Sequence, residues 1–249
     1  MNKPRVTRMP QFSDDPVLAF DSYKKLGYHI EENLWSSIER EALLRAARSF
    51  SSFKSGVSAP LMQPHRQDRL FLRALRNPKI VSIVEKLVDG KVSGLQTEFF
   101  FSGPGTPGFA KHQDNRAVEA KPDAFVSAWC AMVDVTPEMG GLIGYPGTQN
   151  EAILPTLKTG MVPDPSQDPN AYGEEAVLPA KYEPIDLVVP AGAVVFMHSH
   201  FVHASHRNNS KDYRYALLLT YIRSGESFRP GFNAKRAEVD VYQTYVNSR

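Results

Sequence analysis

The chain of 249 residues has one cysteine, Cys130. An internal disulfide and a Cys-rich zinc site are thereby excluded, and a reducing compartment is the natural setting; we expect a cytoplasmic protein. An excess of charge of either sign is missing as well. Lys and Arg number 29 and Asp and Glu 27, for a net charge of +2. That balance gives no reason to expect nucleic acid or an anionic membrane as partner. Long hydrophobic runs are absent too, for nothing approaches the roughly 18 apolar residues a spanning helix needs. The opening segment carries Lys3, Arg5 and Arg8 with no apolar stretch behind them, so it does not read as a secretory signal. No internal repeat and no linker divides the chain. A hydrophobic share of 42% is ample for a core. A single domain over residues 1–249 is expected, a monomer or small homo-oligomer.

Helical signals come first. Asp15 and Pro16 open a helix that Gly27 stops, and Tyr28-His29-Ile30 reads as a short strand. Ser36 and Glu39 have capping-box spacing ahead of an apolar stripe from Ile38 to Phe50. Residues 51–66 read as a Ser-, Pro- and Gly-rich connection. Asn77 caps the clearest helix, with Pro78 in its first turn and Gly90 past its end. These helices, within about residues 15–90, carry no polar constellation and read as scaffold. Beyond Gly90 the period becomes that of strands: 92–101, 125–133, 140–145, 185–189, 193–197 and 215–221, joined mostly by turns. The proline-rich stretch 155–184 is long for a plain loop and reads as a lid over a site. Residues 223–249 form a C-terminal extension that packs back on the strands. Helices followed by seven or eight strands predict a mainly β protein with flanking helices, its sandwich or barrel occupying about 91–222.

Two segments carry chemistry. His112-Gln113-Asp114 puts an imidazole and a carboxylate on one face of an extended chain, a pairing that suits a divalent metal of intermediate hardness. Gln113 is a candidate for the substrate side, and Arg116, Glu119 and Lys121 are either entrance residues or solvated loop charges. A third ligand would complete the facial triad of two histidines and one carboxylate that holds non-haem Fe(II). Four histidines compete for it: His198, His200, His203 and His206. If Asn208 and Asn209 form a two-residue hairpin turn, His203 lies opposite Arg214 on the returning strand. That pairing favours His203, and Ser205 adds a hydroxyl nearby. A 2-oxo acid chelating the metal would need a buried cation for its far carboxylate, and arginine offers a bidentate fork. Trp129 either walls such a co-substrate or packs as a core aromatic.

These segments resemble those of the phytanoyl-CoA dioxygenase family of Fe(II)- and 2-oxoglutarate-dependent oxygenases. The matching pieces are Lys111-His112-Gln113-Asp114, then Asp134 to Leu142 with Pro146-Gly147-Thr148, then Gly192 to His198 continuing through His203-Ala204-Ser205, Asn208 and Arg214. The resemblance implies a double-stranded β-helix (jelly-roll, cupin-like) core, iron on His112, Asp114 and His203, and 2-oxoglutarate on Arg214 and Ser205. It also suggests Trp129 and one of Gln96 or Thr97 near that co-substrate. The implied activity is hydroxylation, or other oxidation, of an unactivated C–H in a small molecule, with O2 consumed and succinate and CO2 released. Asp114 favours hydroxylation, because halogenating relatives have a small residue at the carboxylate position. Glu138-Met139-Gly140 and Gly147-Thr148-Gln149 depart from the family's frequent Glu-Asn-Gly and Gly-Ser-His, which bears on substrate rather than catalysis. Two rival readings stay open. One is a non-catalytic module that binds metal and 2-oxoglutarate; the other is a cupin-type isomerase or hydrolase with no use for Arg214.

Overall fold

Local capping chemistry places the helices. In a computed structural model that describes residues 9–50, 60–160, 173–232 and 234–243, Asp15 accepts from the backbone N–H groups of Val17 and Leu18 and opens α1 (Pro16–Leu26). Gly27 closes it in the left-handed region. After β1 (Tyr28–Glu31), the Ser36–Glu39 capping box forms in full at the head of α2 (Ser37–Ser49). Of the expected connection 51–66, residues 51–59 lie outside the described residues, and the rest holds β2 (Leu61–Met62) and a short 3-10 turn. Helix α3 (Arg69–Leu75) was not expected. Its 7 residues are too few for a clear period, and only the Asp68 cap announces it. The next helix, α4 (Pro78–Val88), is capped by Asn77 and buries Ile80, Val81, Ile83, Val84, Leu87 and Val88, the face its spacing predicts. No helix among the described residues is long and apolar enough to cross a membrane.

The strands follow: β3 (Val92–Ser102), β4 (Phe125–Ala131), β5 (Leu142–Gly144), β6 (Thr156–Lys158), β7 (Glu174–Ala176), β8 (Ile185–Leu187), β9 (Val194–His198), β10 (His203–Ser205), β11 (Arg214–Arg223) and β12 (Val239–Asp240). A one-turn helix, α5 (Asn115–Val118), lies between β3 and β4. The main sheet runs β1-β9-β4-β11-β3-β12 with β2 also on β3; the smaller runs β10-β5-β8, and β6 and β7 form a ribbon. Every strand pairing is antiparallel. Two such sheets facing each other make the mainly β jelly roll, the double-stranded β-helix.

Side chains alternate across the main sheet. Its outer residues Phe99, Phe101, Ala128, Cys130, Leu217, Leu219 and Tyr221 join Phe71, Leu75, Ile80 and Val84 of the helices in one apolar cluster. Its inner residues Phe100, Trp129, Ala131 and Ala216 meet Leu142 and Leu187 of the smaller sheet. The C-terminal extension packs back through β12 on β3. The expected lid 155–184 is described only at its flanks, where β6 and β7 pair; residues 161–172 lie outside the described residues.

The hairpin that set His203 against Arg214 does not form. His203 pairs with Gly144 in the smaller sheet, and Arg214 pairs with Ser102 in the main one. Residues 206–213 carry the chain from one sheet to the other. Asn208 is buried there as a brace, its side-chain N–H groups donating to the carbonyls of Ser102 (2.9 Å) and Asp212 (2.8 Å). Neither Asn208 nor Asn209 has the positive φ that a tight primed turn demands.

Candidate active site

The loop after β3 is laid alongside β10, and this brings the first histidine to the second. Phe109 N–H donates to Ser205 Oγ (2.8 Å), and Ser205 N–H to the carbonyl of Phe109 (3.1 Å). Gly108 makes the approach feasible, because a Cβ there would collide with the backbone of Ser205 and His206. Further on, His112 and His203 exchange backbone hydrogen bonds of 3.0 and 3.1 Å, and their ring centroids stand 4.2 Å apart. Asp114 reaches the pair by a turn rather than along a strand. Its backbone is helical (φ −58°, ψ −34°), so the expected extended His-X-Asp face is replaced by the bend into α5. The outcome is the same convergence: Asp114 Oδ1 lies 3.5 Å from His112 Nε2 and 3.7 Å from His203 Nε2.

The second ring nitrogens fix the tautomers. His112 Nδ1 is 2.7 Å from the carbonyl of Ala110, and His203 Nδ1 is 3.2 Å from that of Phe201. A carbonyl can only accept, so each Nδ1 carries a proton, and Nε2 is the nitrogen that turns to Asp114 and is left to bind a metal. Ser127 Oγ donates to Asp114 Oδ2, leaving Oδ1 for the site. The three donor atoms lie within 4.8 Å of one another. Two imidazole nitrogens and one carboxylate oxygen are the donor set of a divalent metal such as Fe(II), with positions left over. Charge follows the same logic. Burial works against ionised Asp114, but His203, His112 and Ser127 outweigh it and hold the carboxyl well below its ordinary range. Burial likewise pulls His112 down, and Asp114 more than offsets it, so His112 ends above its usual value. For His203, burial and then the neighbouring His112 push the imidazole down to about 4.

A cavity of about 650 Å³ joins this cluster to Arg214. Arg214 is 4% exposed, and burial lowers its pKa only to about 10, so it stays a cation. Its guanidinium donates to the carbonyl of Gly140 and to Ser102 Oγ (2.9 Å) and lies over the ring of Trp129, 6.0 Å from the centroid. Its Nε has no hydrogen-bond partner, and among the described residues no carboxylate pairs with it. A buried cation without a counter-ion is costly unless an anion arrives. Ser205 lines the same cavity. The donor set and this unanswered arginine fit iron and a dicarboxylate respectively.

The phytanoyl-CoA dioxygenase (PhyH) profile matches residues 28–216. The chain belongs to that family. Phytanoyl-CoA dioxygenase 1 of Oryza sativa subsp. japonica is 24% identical over 204 residues, 82% of this chain and 68% of that protein. The L-proline trans-4-hydroxylase of Streptomyces griseoviridis is 29% identical over 228 residues, covering 81% of this chain and 83% of its own. The epimerase SnoN, solved in complex with Fe3+, alpha ketoglutarate and nogalamycin RO, superposes with a TM-score of 0.72 at 18% identity, over 87% of this chain and 88% of that one. It shares the fold.

The remaining expectations within this PhyH chain divide cleanly. Trp129 and Gln96 line the cavity, and Gln96 Oε1 is buried without a partner. Thr97 does not line it, because alternation along β3 turns its hydroxyl outward to His65 Nδ1, 2.8 Å away. Of the four late histidines only His203 joins Asp114. His198 pairs with Asp123 (3.1 Å), His200 bonds Asn115 (3.1 Å) and the carbonyl of Glu151 (2.8 Å), and His206 pairs with Asp186 (2.7 Å). Gln113 lines the cavity too, and its amide is held by the backbone of Ala152, His200 and Leu154. Arg116 does stand at the entrance, whereas Lys121 pairs with Glu226 away from it. Ser127 and Ser102 went unread. The signal for Ser127 was present, since it lies two residues from Trp129 on one strand face.

Proposed function

We propose that the protein is an Fe(II)- and 2-oxoglutarate-dependent dioxygenase, one domain over residues 1–249, that hydroxylates or otherwise oxidises an unactivated C–H of a small organic molecule. His112, Asp114 and His203 would hold the iron. Arg214 and Ser205 would take the far carboxylate of 2-oxoglutarate, with Trp129 as a wall and Gln96 beside it. Iron bound there supplies the centre at which 2-oxoglutarate and O2 are consumed, yielding succinate, CO2 and the oxidising power for the C–H. The protein's own part is placement. Nδ1–H bonds to Ala110 and Phe201 keep both imidazoles aimed, with Nε2 presented for the metal. Arg214 orients the co-substrate by charge and by its fork. Phe100, Phe109, Met197 and Leu218 line the cavity and keep water from the reacting atoms.

One observation carries this reading: a three-ligand cluster and a buried arginine lacking a counter-ion share a single cavity. A cupin-type hydrolase would have no use for that arginine. The test is an anaerobic titration of Fe(II) and 2-oxoglutarate followed by visible absorbance, then a substrate screen that reads succinate. A metal-to-ligand band that needs both additions is expected, with succinate release stimulated by at least one substrate. A band without any succinate would favour the non-catalytic module, and no band at all would sink both. Succinate is the readout because it reports turnover whatever becomes of the C–H.

A further inference from the structure

Four cations stand at the outer end of the cavity, and three are already neutralised. Arg116 Nη2 lies 2.7 Å from Glu174 Oε2, Arg229 Nη1 3.0 Å from Glu119 Oε1, and Lys111 Nζ 3.0 Å from Glu175 Oε1. Arg236 is the exception. Its Nη1 donates to the backbone carbonyls of Ala117 (3.0 Å) and Arg229 (3.3 Å), and among the described residues no carboxylate pairs with it. Two carbonyls aim the guanidinium without cancelling its charge. Glu98 and Asp114 are the acids whose field reaches it. Asp114 sits with the two histidines, and Glu98 accepts from the Gln96 amide.

The C-terminal extension builds this position deliberately. Lys235 N–H donates to the carbonyl of Gly231 (3.0 Å) and Arg236 N–H to that of Pro230 (2.8 Å), closing a tight turn. Gln63 and Arg66 fasten the turn to the barrel through the carbonyls of Ala234 and Lys235. Gly231 has φ +73°, and a Cβ there would come 2.9 Å from Arg236 Nη1, so glycine lets the side chain pass beneath. The same turn holds Phe232 at the cavity, 93% exposed, where Met62 and Leu218 also form the lining. An uncovered aromatic ring beside an uncompensated guanidinium suits a molecule with an apolar body and an anionic end.

We infer that Arg236 and Phe232 form the substrate-recognition end of the cavity and that the substrate is a small organic acid, its carboxylate seated on Arg236. The inference rests on the dioxygenase reading above for what happens to that acid, not for its binding. A coenzyme A thioester is disfavoured, because its phosphates need several free cations and Arg116, Arg229 and Lys111 are spent on glutamates.

The test measures binding by ligand-observed NMR for octanoate, phenylacetate and cinnamate against their primary amides. It is run on the metal-free protein and, without oxygen, on protein loaded with Fe(II) and 2-oxoglutarate. At least one acid should bind about tenfold tighter than its amide, as one charge-assisted contact implies. Arg236→Gln should erase that difference while keeping the iron–2-oxoglutarate absorbance band, and Arg236→Lys should restore part of it. Phe232→Ala, at a site too exposed to matter for folding, should weaken acid and amide alike. The inference is overturned if no acid binds, if acid and amide bind equally, if Arg236→Gln binds acids like the parent, or if it loses the band and so belongs to the co-substrate site. A missing band in the parent protein sinks the dioxygenase reading alone, since the acid–amide comparison on metal-free protein still reads Arg236.

Discussion

The two faces of the main sheet obey different rules although they alternate residue by residue along the same strands. On the outer face Phe99, Leu217 and Tyr221 are fully buried against the helices, and even the Tyr221 hydroxyl donates to the carbonyl of Leu75 (3.0 Å). On the inner face Gln96, Glu98, Trp129, Arg214 and Thr220 surround open space. Two buried atoms there, Arg214 Nε and Gln96 Oε1, have no partner. An unsatisfied buried polar group costs about 1–3 kcal/mol; the outer cluster has such atoms too, Tyr23 Oη and Trp35 Nε1, but those of the inner face border a cavity where a ligand would offset the cost. Stability is thus concentrated on one side of the sheet and chemistry on the other.

Substitutions on either face can break that contrast. The largest effect is expected from His112→Ala or Asp114→Ala, which should abolish iron binding and substrate-dependent succinate formation while far-UV circular dichroism still reports a folded protein. Undiminished turnover in iron-loaded variants would remove the triad from the argument. Phe71→Ala, fully buried against the outer face, should cost about 3–5 kcal/mol in urea unfolding. Its folded fraction should still bind iron one to one. Arg214→Met should raise the 2-oxoglutarate requirement about a hundredfold, the scale of losing a buried charge pair, yet destabilise far less than Phe71→Ala. An unchanged requirement would mean that another cation holds the co-substrate. Ser127→Ala frees Asp114 Oδ2 and should weaken iron affinity about tenfold in a competition titration. Smallest of all, Asn77→Ala removes the cap of α4, at about 1 kcal/mol by thermal unfolding and with no change at the iron.

Local rules made much of this legible beforehand. Caps at Asp15, Ser36 and Asn77 mark helix starts because their side chains bond N–H groups two or three residues on. Strand periods marked β3, β4 and β11, and the His112-Gln113-Asp114 triplet marked itself. Parity was harder. Gln96 and Thr97 are neighbours, and the choice between them needed one inner residue of β3 to be known, because alternation then decides the rest. The hairpin that would set His203 opposite Arg214 does not exist, and His203 stands beside His112 all the same.

Chain-local chemistry, then, determined the elements, the mainly β class and the candidate ligands, since caps, periods and side-chain types act over a few residues. Tertiary structure alone decided which of four histidines meets Asp114, which serine steadies it, and that Arg236 returns to the cavity from the C-terminal extension. The reason is physical. The bond between His112 and His203 joins backbone groups that every residue carries, and closing so long a loop leaves no mark on the composition of either end. Only the packing of one sheet over the other determines who meets whom.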